Sequence, residues 1–247
     1  MRATSGPRHG LARVLSKRGV CSRTEAARWI ADGRVSVGGR IVRDAEFPIA
    51  GEHEIRVDGE PVGAPAARIV LILNKPRGLV TTTRDEHGRD TVYACLDDPT
   101  LPWLAPVGRL DKASEGLLLM TNDPAWAARI TDPLIGPSKT YHVQVDCLPD
   151  DERLDLIRQG VESDGEWLSA TSVRVLRTGA KTAWLEVVLD EGRNRQIRRL
   201  LSAFDIGVLR LVRVAIGELV LGDLAKGAWR ALSDDEVDAL SRRGLKT

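Results

Sequence analysis

"PVGRLDKASEGLLLMTND", residues 106–123, joins a basic loop to a nearly unbroken apolar run. The segment "GLLLMTN", residues 116–122, lacks polar alternation and reads as a strand buried on both faces. Asp123 followed by Pro124 offers an N-cap and a proline at the first helical position, so "PAWAARI" is expected to be helical. Asp111 lies in the loop that feeds the strand, two residues after Arg109. A buried strand gains nothing from an acid at its mouth. The carboxylate is a turn former or ion-pair partner, or it is a chemical group held on a rigid rim. The residues alone leave both readings open.

The neighbouring segments say what surrounds that strand. "RIVLILNKPRG", residues 68–78, is a second apolar strand closing on a turn. "KTYHVQV", residues 139–145, and "TAWLEVVLDE", residues 182–191, alternate as half-buried strands do. "ERLDLIRQG" is expected to be a helix ending at Gly160. "NRQIRRLLSAF", residues 194–204, is expected to be a basic amphipathic helix with Ile197, Leu200, Leu201 and Phe204 inward. "GVLRLVRVAIGELVLG", residues 207–222, supplies one or two closing strands. Strands joined by short turns with helices laid on them predict an α+β fold with a mixed, mostly antiparallel sheet flanked by helices.

The N-terminal fifth has a different texture. "GLARVLSKRG" carries Leu11, Val14 and Leu15 on one helical stripe, and Ser22 with Glu25 three residues later opens a second helix. Trp29 and Ile30 anchor it. Gly38-Gly39 between "RVSV" and "RIVRD" is a two-residue hairpin turn, and "HEIRVDG" adds a strand. Between residues 1 and 47 there are ten basic residues against four acidic ones, on a chain whose net charge is only +1. Residues 193–213 hold six arginines against Asp205 alone. Two basic patches on a near-neutral chain point to a polyanionic partner, although any single basic run is more often a solvated face.

Composition excludes several classes. Hydrophobic content of 43% supports a core without a disulfide or metal staple. No apolar run is long enough to span a bilayer, and "MRATSGPRHG" lacks an apolar signal stretch. Cys21, Cys95 and Cys147 form no paired motif, which fits a reducing cytoplasm. His9, His53, His87 and His142 lack metal-ligand spacing, and no Gly-rich phosphate loop or serine elbow occurs. No metal and no cofactor are expected.

Two resemblances add to this. "RVLSKRGVCSRTEAARWIADGRVSVGGRIV" resembles the alpha-L RNA-binding module of a small-subunit ribosomal protein and of many RNA-modifying enzymes, with Gly38 where an asparagine is usual. The resemblance makes Arg13, Lys17, Arg18, Arg23, Arg28 and Arg34 candidate RNA contacts. "VGRLDKASEGLLLMTND" resembles the signature of pseudouridine synthases, in the branch acting on small-subunit and large-subunit ribosomal RNA. "LNKPRG", "KTYHVQV", "EGRNRQIRRLL" and "RLVRVAIGELVLGDLAKGAWRAL" match further blocks of that family in order, with Asp205 where glycine is common. The resemblance implies isomerisation of a uridine in ribosomal RNA, or in a ribosome assembly intermediate, by a monomer. It implies Asp111 as the catalytic carboxylate, Arg198 as its basic partner and Tyr141 stacked on the flipped base. Whether Asp111 attacks the ring, attacks the anomeric carbon or takes a sugar proton stays open. Arg109, Lys112, Asn74, Lys75 and Arg195 are the remaining candidates for substrate contact, and "EGRNRQIRRL" leans toward large-subunit members. The implied division is an RNA-binding domain over residues 10–58, a linker over 59–67, a catalytic domain over 68–235 and a tail over 236–247.

Overall fold

The structure, a computed structural model, describes residues 9–50, 53–64, 66–83, 85 and 87–242. The chain forms two units. One runs through Ile69 and takes in Asp98–Ala105, and the other holds Val70–Asp97 and everything from Pro106 onward.

In the first unit, helix α1 (Leu11–Lys17) buries Leu11, Ala12 and Leu15. Helix α2 (Arg23–Ala31) starts where the Ser22 hydroxyl accepts from the Glu25 amide, and it buries Ala26 and Ile30. A small antiparallel sheet follows: β1 (Val35–Val37), β2 (Arg40–Ile41), β3 (Ile55–Val57) and β4 (Glu60–Pro61), in the order β2-β1-β3-β4. Gly38 and Gly39 have φ of 56° and 77°, so both residues of the β1–β2 turn need the left-handed region. The expected linker at 59–67 therefore starts too early. Asp58 and Gly59 make a second tight turn that pairs Glu60 with Val57 and puts β4 in the sheet. Asp98–Ala105 also belongs to this unit, through Trp103 N donating to Gly19 O.

The second unit is built on the two apolar runs. β5 (Val70–Lys75) and β6 (Glu115–Thr121) are buried at every position and pair antiparallel. Asp123 accepts from the amides of Ala125 and Trp126 to start α3 (Pro124–Thr131). β7 (Lys139–Val145) alternates buried and half-buried as its sequence predicts. Next come α4 (Asp151–Gln159), β8 (Ser172–Thr178), β9 (Ala183–Leu189), α5 (Gln196–Ser202), β10 (Val208–Ile216), β11 (Trp229–Ala231) and α6 (Asp234–Ser241). The sheet order is β8-β9-β7-β10-β6-β5-β11, with two further short strands off this path. Every pairing along it is antiparallel except β10 with β6. This is the mixed, mostly antiparallel sheet expected.

The tail expected over 236–247 is helical through Ser241, and residues 243–247 lie outside the described residues. α6 opens with a full capping box on Ser233 and Glu236, and its Val237 and Leu240 join Trp126, Ile130, Val70 and Leu119 in one core. Asp234, Asp235 and Glu236 lie in the first turn, where they complement the helix dipole. Phe204 is half-buried rather than inward. Asp205, where glycine was expected, has φ of 57°, the left-handed conformation that aspartate tolerates better than most residues. Among the described residues no helix is long and apolar enough to cross a membrane.

Candidate active site

The loop from β5's partner side into β6 is held by its backbone. Leu110 O accepts from Thr81 Oγ1 at 2.7 Å. Asp111 O accepts from the Ser114 amide at 2.9 Å and from Lys75 Nζ at 3.3 Å. Lys112 O accepts from the Gly78 amide at 2.8 Å. Ala113 O accepts from Arg198 Nη2 at 3.3 Å, and Ser114 O from Lys75 Nζ at 2.9 Å. Five consecutive carbonyls are thus satisfied from three directions, and Asp111 cannot drift without breaking several of these bonds.

Its carboxylate is half-buried and faces a cleft of about 480 Å³. Tyr141, from the middle of β7, lines the same cleft and is 8% exposed. Arg109, Arg195 and Arg198 line it as well. A second cleft of about 470 Å³ is lined by Thr81, Arg109, Asp111, Lys112 and Asn194 among others.

The expected partnership of Asp111 with Arg198 is not what the structure contains. Arg195 Nη1 makes the ion pair, 3.8 Å from Asp111 Oδ2. Arg195 caps α5 in a left-handed conformation with φ of 49°, which turns its side chain out of the helical register. Arg198 instead bridges backbone, donating to Val208 O at 3.2 Å as well as to Ala113 O. Burial and the adjacent Arg195 charge lower the Arg198 pKa, while Asp111 opposes them. Arg199 is half-buried on Glu166 and Asp164.

Asn74 and Lys75 are corrected as well. Asn74 is 8% exposed and its Nδ2 donates to Leu224 O at 2.6 Å. Lys75 is fully buried and spends its ammonium on Pro76 O, Asp111 O and Ser114 O. Neither can reach a phosphate. Burial pulls the Lys75 pKa down to about 8, against the nearby Asp111 charge. Arg109 and Lys112 do stand exposed beside Asp111.

Residues 69–203 match the family described as RNA pseudouridylate synthase, and residues 10–55 match the S4 domain. This chain belongs to the RNA pseudouridylate synthase family. A protein named as an uncharacterized RNA pseudouridine synthase of Aquifex aeolicus (strain VF5) is 38% identical over 238 residues, 95% of this chain and 94% of that one. Ribosomal small subunit pseudouridine synthase A of Escherichia coli (strain K12) is 36% identical over 217 residues, 87% of this chain and 93% of the relative. A pseudouridylate synthase crystal structure is 28% identical with a TM-score of 0.65, covering 95% of this chain and all of that one. The lean toward large-subunit RNA finds no support here, since the E. coli relative is named for the small subunit.

In this pseudouridylate synthase, sequence reasoning missed the groups that fix the loop. Thr81 and Gly78 sit in "RGLVTT", a stretch with no periodic signal. Glu115, directly after the loop, is 3% exposed and is held by Arg210 at 2.8 Å and Lys226 at 2.7 Å. Burial alone would raise its pKa, but the two cations outweigh that and bring it to about 2. An unfolded glutamate titrates near 4.3, so this carboxylate contributes stability above that pH and loses it as pH falls toward 2. Acid unfolding monitored by circular dichroism should therefore show Glu115→Gln less sensitive to pH between about 4 and 2 than wild type. Parallel curves for the two proteins would remove Glu115 from the acid response.

Proposed function

We propose that this enzyme isomerises a uridine of ribosomal RNA to pseudouridine, with Asp111 as the reacting carboxylate. The observation that carries the reading is the immobilised Asp111 loop opening on a cleft roomy enough for a nucleotide, with Tyr141 in its wall. The name of the E. coli relative supports ribosomal RNA as the substrate class.

The reaction breaks the bond between uracil N1 and ribose C1′ and joins C1′ to C5. N1 gains a proton, and the hydrogen on C5 leaves to solvent. Asp111 acts on the nucleoside as nucleophile or base. Arg195 orients the carboxylate from one side, and Arg198 fixes the backbone beneath it. Tyr141 packs on the extruded base, a contact worth about 1–3 kcal/mol. Extrusion itself costs a few kcal/mol, offset by phosphate contacts. Arg109, which borders both clefts, and Lys112, which borders the second, serve that purpose.

RNA carrying tritium at C5 of uridine, made in cells lacking this enzyme, tests the reading. Tritium should pass to water with no free uracil. Uracil release would mean a glycosidase, and neither product would mean a non-catalytic binder. Mapping the product identifies the nucleotide and the subunit.

The S4 domain supplies a second contact surface. Arg13, Lys17 and Arg28 are exposed on its helices, and Arg13 and Arg28 form no ion pair with a described residue. Arg23 is paired with Glu46, and Arg34 forks onto Asp58 over the Trp29 ring. Of the six candidate contacts, Arg18 is half-buried and donates toward Val62 O. Arg13→Ala and Arg28→Ala should each flatten the slope of log affinity against log salt by roughly 0.7–0.9. Arg34→Ala should change it less. Equal slopes for all three variants would take RNA away from this surface.

A further inference from the structure

Three buried side-chain atoms among the described residues make no hydrogen bond: Ser114 Oγ, Arg198 Nε and Arg213 Nη2. Buried polar atoms are nearly always paired, so where the exceptions fall is informative. All three residues line the cleft that holds Asp111 and Tyr141. Arg198 is accounted for by its two carbonyl contacts beside the loop. Arg213 and Ser114 have no such role in the chemistry described so far.

Arg213 is 5% exposed and makes no ion pair with a described residue. It sits opposite Tyr141 in the β7–β10 pairing, so the two side chains share the cleft face of the sheet. Its position is rigid. Nε donates to Leu117 O at 2.7 Å, and its backbone is pressed against Gly116, five residues after Asp111. Ser114 is 1% exposed and closes the turn on Asp111, its amide donating to Asp111 O. A guanidinium without a counter-ion among the described residues is thus fixed in the wall of the cleft that Asp111 also lines, poorly hydrated, where its field is strong.

The reaction proposed above, on which this inference rests, needs a positive group there. When N1 parts from C1′ the bonding electrons leave with the base and spread onto O2 and O4 of the ring. Asp111 is itself an anion and cannot stabilise that charge. We infer that Arg213, assisted by the Ser114 hydroxyl, is the base-recognition group of the cleft. It takes a carbonyl oxygen of the pyrimidine and stabilises the charge that the detached base carries. Such a donor accepts uracil, with carbonyls at both C2 and C4. Where it meets the C4 position it disfavours cytosine, whose C4 amino group is a donor and would meet another donor.

Arg213→Met keeps the bulk of the side chain and removes the charge and the N–H groups. At saturating ribosomal RNA we expect single-turnover conversion to fall about 100-fold, as for loss of one charge-stabilising donor, with RNA affinity unchanged. Arg213→Lys should recover part of the rate. The decisive comparison uses RNA bearing 5-fluorouridine, read as loss of the 5-fluorouridine nucleoside from nuclease digests. Fluorine makes the departing base a more stable anion, so the variant's deficit should narrow on that substrate. A structural brace between β10 and β6 predicts equal deficits on both substrates and no advantage of lysine over methionine; that result overturns the inference. So does wild-type turnover by Arg213→Met. If the methionine variant fails to fold, shown by thermal melting, the lysine variant carries the same comparison. A wild-type enzyme inert on every ribosomal RNA would instead sink the proposed activity, a separate result.

Discussion

Asp111→Asn is expected to lower conversion of uridine at least about 1,000-fold, the scale seen when a reacting group is removed from an enzyme. The same variant should keep its fold and its affinity for RNA. The reason lies in how the loop is held. The bonds that fix residues 110–114 go to backbone carbonyls, and none of them uses the Asp111 carboxylate. The side chain's one ion pair, with Arg195 at 3.8 Å, is half-exposed. Pairs of that kind contribute about 0–1 kcal/mol. Asparagine also preserves the shape and can still meet the Arg195 guanidinium through its amide oxygen. Tritium release from C5-labelled RNA, beside a thermal melt and a binding isotherm, separates the possibilities. Retention of more than a few per cent of turnover would sink the assignment of Asp111. A collapse of the melt would move the residue into the structural class that its sequence context left open.

The position of Asp111 was legible because two strong local signals flank it: an arginine-bearing turn before it and a continuously apolar strand after it. The strand is buried at all seven positions, as the lack of alternation implies. The burial of Tyr141 was legible for the opposite reason, while its role rests on the resemblance. "KTYHVQV" alternates, so Tyr141 shares a face with Val143 and Val145, and that face is buried. What the sequence could not convey was which cation meets the acid. Arg198 was named for that role by the resemblance, not by helical spacing, whose expected inward positions are Ile197, Leu200, Leu201 and Phe204. Arg195 looks like an ordinary surface charge. The left-handed backbone at Arg195 changes this, and a non-glycine residue with positive φ leaves no mark in hydrophobic periodicity. Lys75 was misjudged in a related way. A lysine next to proline at the end of a strand reads as a solvated turn residue, yet its ammonium is covered because three carbonyls converge on it. Those carbonyls come from the chain immediately after Lys75 and from residues 36 and 39 positions later. Only the folded arrangement brings them together.

Gly116→Ala should destabilise the enzyme by roughly 4 kcal/mol or more, the range reserved for substitutions that break a core contact. Gly116 has φ of 101° in the second position of β6. A Cβ built there lies 2.9 Å from Arg213 N and 3.0 Å from Arg213 C, and nearer still to Arg213 O. All three are backbone atoms of β10, a strand paired on both sides, so they cannot swing aside as a flexible side chain could. The methyl group would force apart the parallel pairing of β10 with β6, Val212 with Glu115 and Arg213 with Gly116. It would also shift Arg213 against the Asp111 loop, so residual activity should fall with stability. Gly78 provides the control. Its φ is 102°, almost the same, yet nothing lies within 4 Å of its Cβ position. Gly78→Ala therefore carries the backbone strain alone, about 1–3 kcal/mol. The difference between the two variants in urea unfolding isolates the steric contact from the conformational preference of glycine. Equal losses would mean that β10 yields at Arg213, and that the register between the two strands is softer than this close approach implies.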